Sequence, residues 1–408
     1  MDYWECGLSR LETGASGKTY LLAAAIALAP LPSWAVFNDH LEVFAQENVT
    51  HDSNIFRLSD NLDPASVGAT HKGDDIFTTG LGFLFDYPVS LQRFQLGYTW
   101  VDSRYRDNKD LDHRGHAARA AWLWSITPHI TGDATYQEEK TLASFANIQA
   151  NRPDLITSRL AEANAAWMVT PSWRVHGRVD GGTTEHTDTT SFENLRAVSA
   201  ETGLSYVTAQ ENRVGVAVRA EQGKSPDEQV VDGILFDNKY TQWGAGVQAR
   251  WVITGHSRFD GRLDYTRRTY EQFTQRNYSG PTFAATYTWT PTGKITVATT
   301  ASRDAAPLQD TNTSFVLVTA LAIRPDWQIT DKVSLRGNLQ YAKWDYHGDP
   351  ALGLDYEHRV KAGGIALLYR PFERVSITGA YQHERRTSTL VNADYKVDTA
   401  SIEARIGF

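Results

Sequence analysis

The sequence predicts an all-β chain: a single transmembrane antiparallel β-barrel of about 18 strands, with short periplasmic turns and longer extracellular loops. Three observations predict it. Apolar and polar residues alternate over nine residues or more, as in "RFQLGYTWV" and "SRFDGRLDYTRR". Short turn signals recur at roughly 40-residue spacing, room for one hairpin of membrane crossings and a polar connection. Aromatics are abundant, with Trp 12, Tyr 18 and Phe 16, in a chain that is 22% charged. Period-two alternation gives each strand one wet and one dry face, so hydrophobicity is spread over alternate residues instead of being gathered in a helix. A propeller repeats at a similar spacing, but its blade strands of about five residues are too short for these stretches.

At the N-terminus, Arg10 and Lys18 precede "TYLLAAAIALAPLPSWA", with small residues at Ser33 and Ala35. This reads as a secretory signal peptide over residues 1–35, cleaved after Ala35, followed by the barrel over 36–408. The single cysteine, Cys6, would leave with the signal, so the exported chain is expected to hold together without disulfides. No later run approaches 18 apolar residues, and no membrane-spanning helix is expected. A formal net charge of -8 argues against a nucleic-acid partner.

The strands follow from the turns. "DYPVS", "SITPHI", "MVTPSW", "TAQENR", "VITGHS", "WTPTGK", "IRPDWQITDK" and "YRPFER" join 16 strands between Asp75 and Arg386. "HLEVFAQENV" and "YKVDTASIEARIGF" add one at each end, giving 18 with both termini periplasmic. The stretch "SFVLVTALAI" is apolar on both faces, which leaves 16 strands as the alternative.

Parity assigns the faces. Phe94, Leu96, Tyr98 and Trp100 share one side, as do Trp173, Val175 and Val179, then Phe259, Leu263 and Tyr265, then Phe283, Ala285, Tyr287 and Trp289; these should meet lipid. Trp124, Trp167, Trp251 and Trp289 stand beside short turns and are expected as membrane-interface aromatics. The opposite faces carry Arg93, Arg119, Arg174, Arg178, Arg213, Arg219, Arg250, Arg258, Asp260, Arg262, Asp264, Arg268 and Arg336, the candidates for the lumen and substrate path. His176, Asp180, Arg374 and Arg405 join them, opposed by Asp133, Glu139, Glu162, Glu201 and Glu403. A barrel of this size encloses water. An arginine-rich wall then presents donor forks and positive potential to hydroxyl-rich or anionic chains. For most of these residues the favoured reading is plainer: arginines and acids satisfy each other across strands and stiffen the wall.

The connections are acidic. Trp344 and Tyr346 beside one of them suit either sugar stacking or, the favoured reading, interface anchoring. The longest, "HDSNIFRLSDNLDPASVGATHKGDD", holds Asp52, Asn54, Asp60, Asn61 and Asp63, but reads as a solvated loop or one folded into the pore and not as a calcium site. No Gly-x-Ser-x-Gly, metal-spaced His/Cys set or phosphate loop occurs, so no enzyme, catalytic residue, metal or cofactor is expected.

The segments "HDSNIFRLSD" and "DDIFTTGLGFLFDYPVSLQRFQLGYTWVDSRY", with the terminal aromatic of "SIEARIGF", resemble the EpsL-type outer-membrane proteins of exosortase-associated exopolysaccharide clusters. The similarity covers essentially the whole mature chain. It implies a bacterial outer-membrane channel that passes an exopolysaccharide to the surface. The implied partners are outer-membrane lipid, the exopolysaccharide itself, a periplasmic polysaccharide-export protein and an inner-membrane co-polymerase. Phe408 would be the insertion signal read by the barrel-assembly machinery. Two other readings fit the residues alone: a general or sugar-selective porin, and a structural or adhesive barrel.

Overall fold

The computed structural model describes residues 40–146, 152–187, 194–224, 229–231, 234–236, 239–272, 274, 277–306, 313–348 and 355–408. The expected signal segment, with Cys6, lies outside the described residues.

The strands are β1 (Leu41–Asp52), β2 (Asp74–Val89), β3 (Gln92–Tyr105), β4 (His113–Thr127), β5 (Ile130–Leu142), β6 (Leu155–Thr170), β7 (Trp173–His186), β8 (Leu195–Val207) and β9 (Arg213–Lys224). After a short ribbon of β10 (Gln229–Val231) and β11 (Ile234–Phe236) come β12 (Tyr240–Thr254), β13 (Ser257–Tyr270), β14 (Tyr278–Thr292) and β15 (Ile295–Ala306). The chain finishes with β16 (Thr313–Thr330), β17 (Val333–Gly348), β18 (Tyr356–Phe372), β19 (Val375–Ser388) and β20 (Tyr395–Gly407). All but the ribbon form one 18-stranded sheet of antiparallel neighbours, and β1 pairs with both β2 and β20, so the sheet closes. Closure matters because an unpaired strand edge has no water to satisfy it in hydrocarbon.

β15 and β16 pair from Ile295↔Trp327 to Ala306↔Val316, which settles the strand number at 18 rather than 16. The turns are tighter than the sequence suggests. β16 runs through Pro325 and stops only at Thr330, where "IRPDWQITDK" reads as a turn. Proline takes a donor out of the ladder. Here the pairing with β17 skips from Ile323↔Leu339 to Asp326↔Arg336. Gly337 faces the gap, where a Cβ would lie 2.8 Å from the Pro325 ring, so glycine makes the room.

Alternation sorts the faces as expected. Phe94, Leu96, Tyr98, Trp173, Val175, Val179, Leu263, Tyr265, Tyr287 and Trp289 are all exposed on the outside. Trp167, Trp251 and Trp289 stand exposed near the short-turn ends of their strands. Trp124 also lies near a turn, its ring folded over Gly132 of β5, where a Cβ would come within 2.1 Å of it.

The seam between first and last strands runs from Phe44↔Gly407 to Asp52↔Thr399, and the Phe408 amide donates to the Val43 carbonyl at 2.8 Å. On the inner face Arg405 meets Glu42 at 3.0 Å and lies 3.7 Å over the Phe44 ring, all three buried. Removing one partner of a buried pair leaves a stranded charge, at a cost of about 3–5 kcal/mol, whereas replacing both by apolar groups can be neutral. Arg405→Met should therefore lower the temperature at which the folded band is lost on heated, semi-native gels, and Glu42→Leu/Arg405→Met should recover most of it. Equal losses in the single and double variants would show that the ion pair does not hold the seam.

Candidate functional site

The inward side chains of β5 to β13 form a continuous polar mat. Asn164 donates to Asp133 at 2.9 Å and to Glu162 at 2.5 Å, and Glu162 meets Arg178 at 2.7 Å. Arg178 reaches Asp180 at 3.1 Å, and Asp180 lies 3.7 Å from Arg219. Arg219 pairs with Glu221 at 3.3 Å and donates to Ser199 at 3.0 Å. The Tyr240 hydroxyl donates to Glu221 at 2.8 Å, and Arg268 stacks 4.5 Å over the Tyr240 ring while donating to Gln242 at 2.9 Å. A second chain starts at Gln248, 3.3 Å from His176. It continues through Glu201, 3.5 Å from His176 and 3.0 Å from Arg262, to Asp264, 2.6 Å from Arg262.

These contacts need flat-lying side chains, and glycines supply the space. A Cβ at Gly203 would fall 2.3 Å from the His176 ring, and one at Gly223 would fall 2.3 Å from Tyr240. Small residues on the inner face thus let long ones span from strand to strand. The positive wall that the arginine count suggests is largely neutralised by acids in place.

Near the short-turn end the pattern is more open. Arg93 pairs with Asp86 at 2.6 Å, Arg250 and Arg258 share Asp260 at 2.5 and 2.8 Å, and Arg336 pairs with Asp326 at 3.0 Å. The Arg93, Arg258 and Arg336 side chains are 33%, 36% and 32% exposed, against 1% for the whole of Arg268. Arg119 faces inward near Asp133. Arg174 and Arg213 also face inward, beside Ser205 and Arg250 respectively. Arg374 departs from the sequence reading: it lies in the turn after β18, because β19 begins only at Val375. Trp344 and Tyr346 also depart from it. Both share the inward parity of buried Ala342, and Tyr346 stacks on Tyr356 at 4.3 Å, so they line the interior and do not anchor the outer interface.

At the opposite end the first long loop, residues 53–73, is folded and fastened. The Ser53 amide donates to the Asp398 carbonyl, and Asn54 donates to the carbonyls of Leu58 and Lys396. Arg57 pairs with Asp52 at 2.9 Å, Lys72 caps the Ser59 carbonyl at 2.7 Å, and Asp60 meets Lys396 at 2.8 Å. Asp63 caps a short 3-10 turn. Asp52, Asn54, Asp60 and Asp63 are thus used one by one as hydrogen-bond partners. The loop's Ile55, Phe56 and Leu58 bury themselves with Tyr105 of β3, Leu111 and Phe145, with Ile76 of β2 against them. Tyr105 and Ile76 are inward-facing ladder partners, so this apolar knot sits inside the rim. Arg386 of β19 donates to the Ala146 carbonyl beyond β5, drawing a second connection inward.

The neighbouring connection is pinned by Asp74. It accepts from the backbone of Asn108 at 2.9 Å, the Asn108 side chain at 2.9 Å and the Asp107 amide at 3.1 Å. Burial alone would raise this carboxyl, but those donors outweigh it and hold it below the usual carboxylate range.

Sequence reasoning missed the acids Glu42, Asp86 and Asp326, whose arginine partners are set by ladder register. It also missed the knot at Phe56 and Leu58, although two apolar residues in an acidic loop were a visible signal.

These features define an outer-membrane β-barrel: a closed ladder, an apolar outside and a polar inside. Residues 252–408 match the family model described as putative beta-barrel porin 2. No curated protein sequence matches the chain. Among solved structures, a BenF-like porin from Pseudomonas fluorescens Pf-5 is similar at TM-score 0.48 and 9% identity, over 90% of this chain and 99% of that one. OccK5 (OpdH) of Pseudomonas aeruginosa is similar at TM-score 0.46 and 11% identity, over 91% and 99% of the two chains. The ferric enterobactin receptor PfeA is similar at TM-score 0.49 and 7% identity, over 90% and 81%.

A folded-state carboxyl below its ordinary pKa of about 3.9 contributes stability that is present above that value and lost as pH falls through the folded one. Asp74→Ala should therefore expose residues 106–112 to limited proteolysis at pH 7, and the wild-type chain should become equally sensitive only well below pH 4. Unchanged protection in the variant would remove Asp74 from the anchor.

Proposed function

We propose that the protein is an outer-membrane channel whose cargo is a hydroxyl-rich polysaccharide leaving the cell. The observation that carries this reading is the arginine set at the short-turn end, Arg93, Arg258 and Arg336, each paired with an acid and each about one-third exposed on the inward face. A forked donor beside a carboxylate offers donors and acceptors in alternation, which suits sugar hydroxyls exchanging along a wall. The neutralised mat above presents little net field to a passing chain. Guidance is passive, and synthesis and export machinery below, including a periplasmic polysaccharide-export protein and an inner-membrane co-polymerase, supplies the drive. The resemblance of the first loop and last strand to EpsL-type proteins supports this cargo, and Phe408, 49% exposed at the chain end, suits recognition by the barrel-assembly machinery.

A sugar-selective porin is the second reading, favoured by the match of residues 252–408 to a porin family model. It calls for steady conduction. The folded mouth favours restricted conduction instead.

A strain lacking the protein should lose surface polysaccharide and retain it in the periplasm. Complementation with Arg93→Ala/Arg258→Ala/Arg336→Ala, which spares the buried mat, should insert normally and restore surface polymer only in part. Normal surface polymer after deletion would remove the export reading. Steady conductance and sugar uptake by the purified wild-type barrel would then leave the porin.

A further inference from the structure

Charges also stand on the outside of the barrel, at the far ends of the strands. On β3 to β6, Asp102 holds Arg104 and Arg114, and Glu138 holds His116 and Arg159. On β17 and β18, Lys343 is held by Asp345 and Glu357, and Arg359 by Glu357. Each cation named here has a carboxylate beside it.

β18 to β20 break this pattern. Lys361 is the ladder partner of Arg385, and Arg385 is the ladder partner of Lys396, so three cations stand in a row across three adjacent strands. Lys396 has Asp60 of the first loop at 2.8 Å, and the neighbouring His383 is taken by Asp398. Lys361 and Arg385 make no ion pair among the described residues. Like charges directly opposite one another in a ladder repel, and Asp60, seated on Lys396 and within the field of Arg385, is one carboxylate against three cations, so the row attracts a further anion.

Its height says where that anion comes from. Lys361 to Phe372, Val375 to Arg385 and Lys396 to Gly407 run 12, 11 and 12 residues, just over the roughly 9–11 with which a tilted strand crosses the apolar layer. Below the row come the His383–Asp398 pair and then an exposed apolar stretch of the same outer face, with Ile365, Leu367, Ile377 and Ile402. The row therefore lies at the outer water–lipid boundary, charge above and hydrocarbon below.

We propose that Lys361, Arg385 and Lys396 bind the phosphate groups of a phosphorylated glycolipid in the outer leaflet, whose acyl chains lie along Ile365, Leu367 and Ile402. Lysine and arginine are the side chains suited to phosphate, by point charge and by forked donors. This binding is independent of what crosses the lumen.

The purified barrel is titrated in detergent with bis-phosphorylated lipid A, with dephosphorylated lipid A and with inorganic phosphate, following the temperature at which the folded gel band is lost. The phosphorylated lipid should raise that temperature, and the other two should not. In Lys361→Gln/Arg385→Gln/Lys396→Gln the lipid concentration needed should rise on the order of a hundredfold, as expected for three cations near an anionic surface. Lys361→Gln/Arg385→Gln, which keeps the Lys396 contact to Asp60, should still weaken binding about thirtyfold while the lipid-free barrel is at least as stable as wild type. Equal titrations for wild type and both variants would overturn the proposal. So would an equal response to dephosphorylated lipid or to inorganic phosphate.

Discussion

Everything in this molecule rests on the need to satisfy backbone N–H and C=O groups where no water is available. In hydrocarbon an open sheet fails at its edges, so the chain must return to its beginning, and β1 must find β20. That single requirement accounts for the closed ladder, and lipid on one side with water on the other accounts for the alternation that gives an apolar outside and a polar inside. The water the barrel encloses leaves a long, charged inner surface to be accommodated.

The inner surface solves that problem by pairing. Buried charges are tolerated when geometry and hydrogen bonds are good, and here acids and arginines are strung together from Asp133 to Arg268. Glycines at positions such as Gly203 and Gly223 are part of the same design, since a flat His176 or Tyr240 needs bare backbone beneath it. Mat, open arginines at one end and apolar knot at the other make a lumen whose character changes along its axis.

Fold and face assignment were legible in the sequence because both follow from local rules: a turn needs its Gly, Pro, Asn or Asp, and a half-wet strand needs period two. Arg258 and Arg262 could be placed on the inner face from their neighbours alone. Their partners could not, since Arg262 meets Glu201 sixty-one residues away, a contact set by register across several strands. Trp344 and Tyr346 were read as interface anchors because aromatics near strand ends usually are; inward parity overrides that tendency. Arg374 failed for the opposite reason, falling into a turn where alternation no longer applies.

The seam carries a kinetic consequence. Arg405 and Glu42 are 363 positions apart in the chain, so the ladder that seals the barrel is the one with the longest loop to close. Every other strand pairs with a sequence neighbour and can add to a growing sheet as a hairpin, but the closing contact must wait until almost the whole meander exists. Assembly therefore ends with one late, all-or-none step at the first and last strands. In a cell, that step is where an open sheet is most exposed to pairing with the wrong edge.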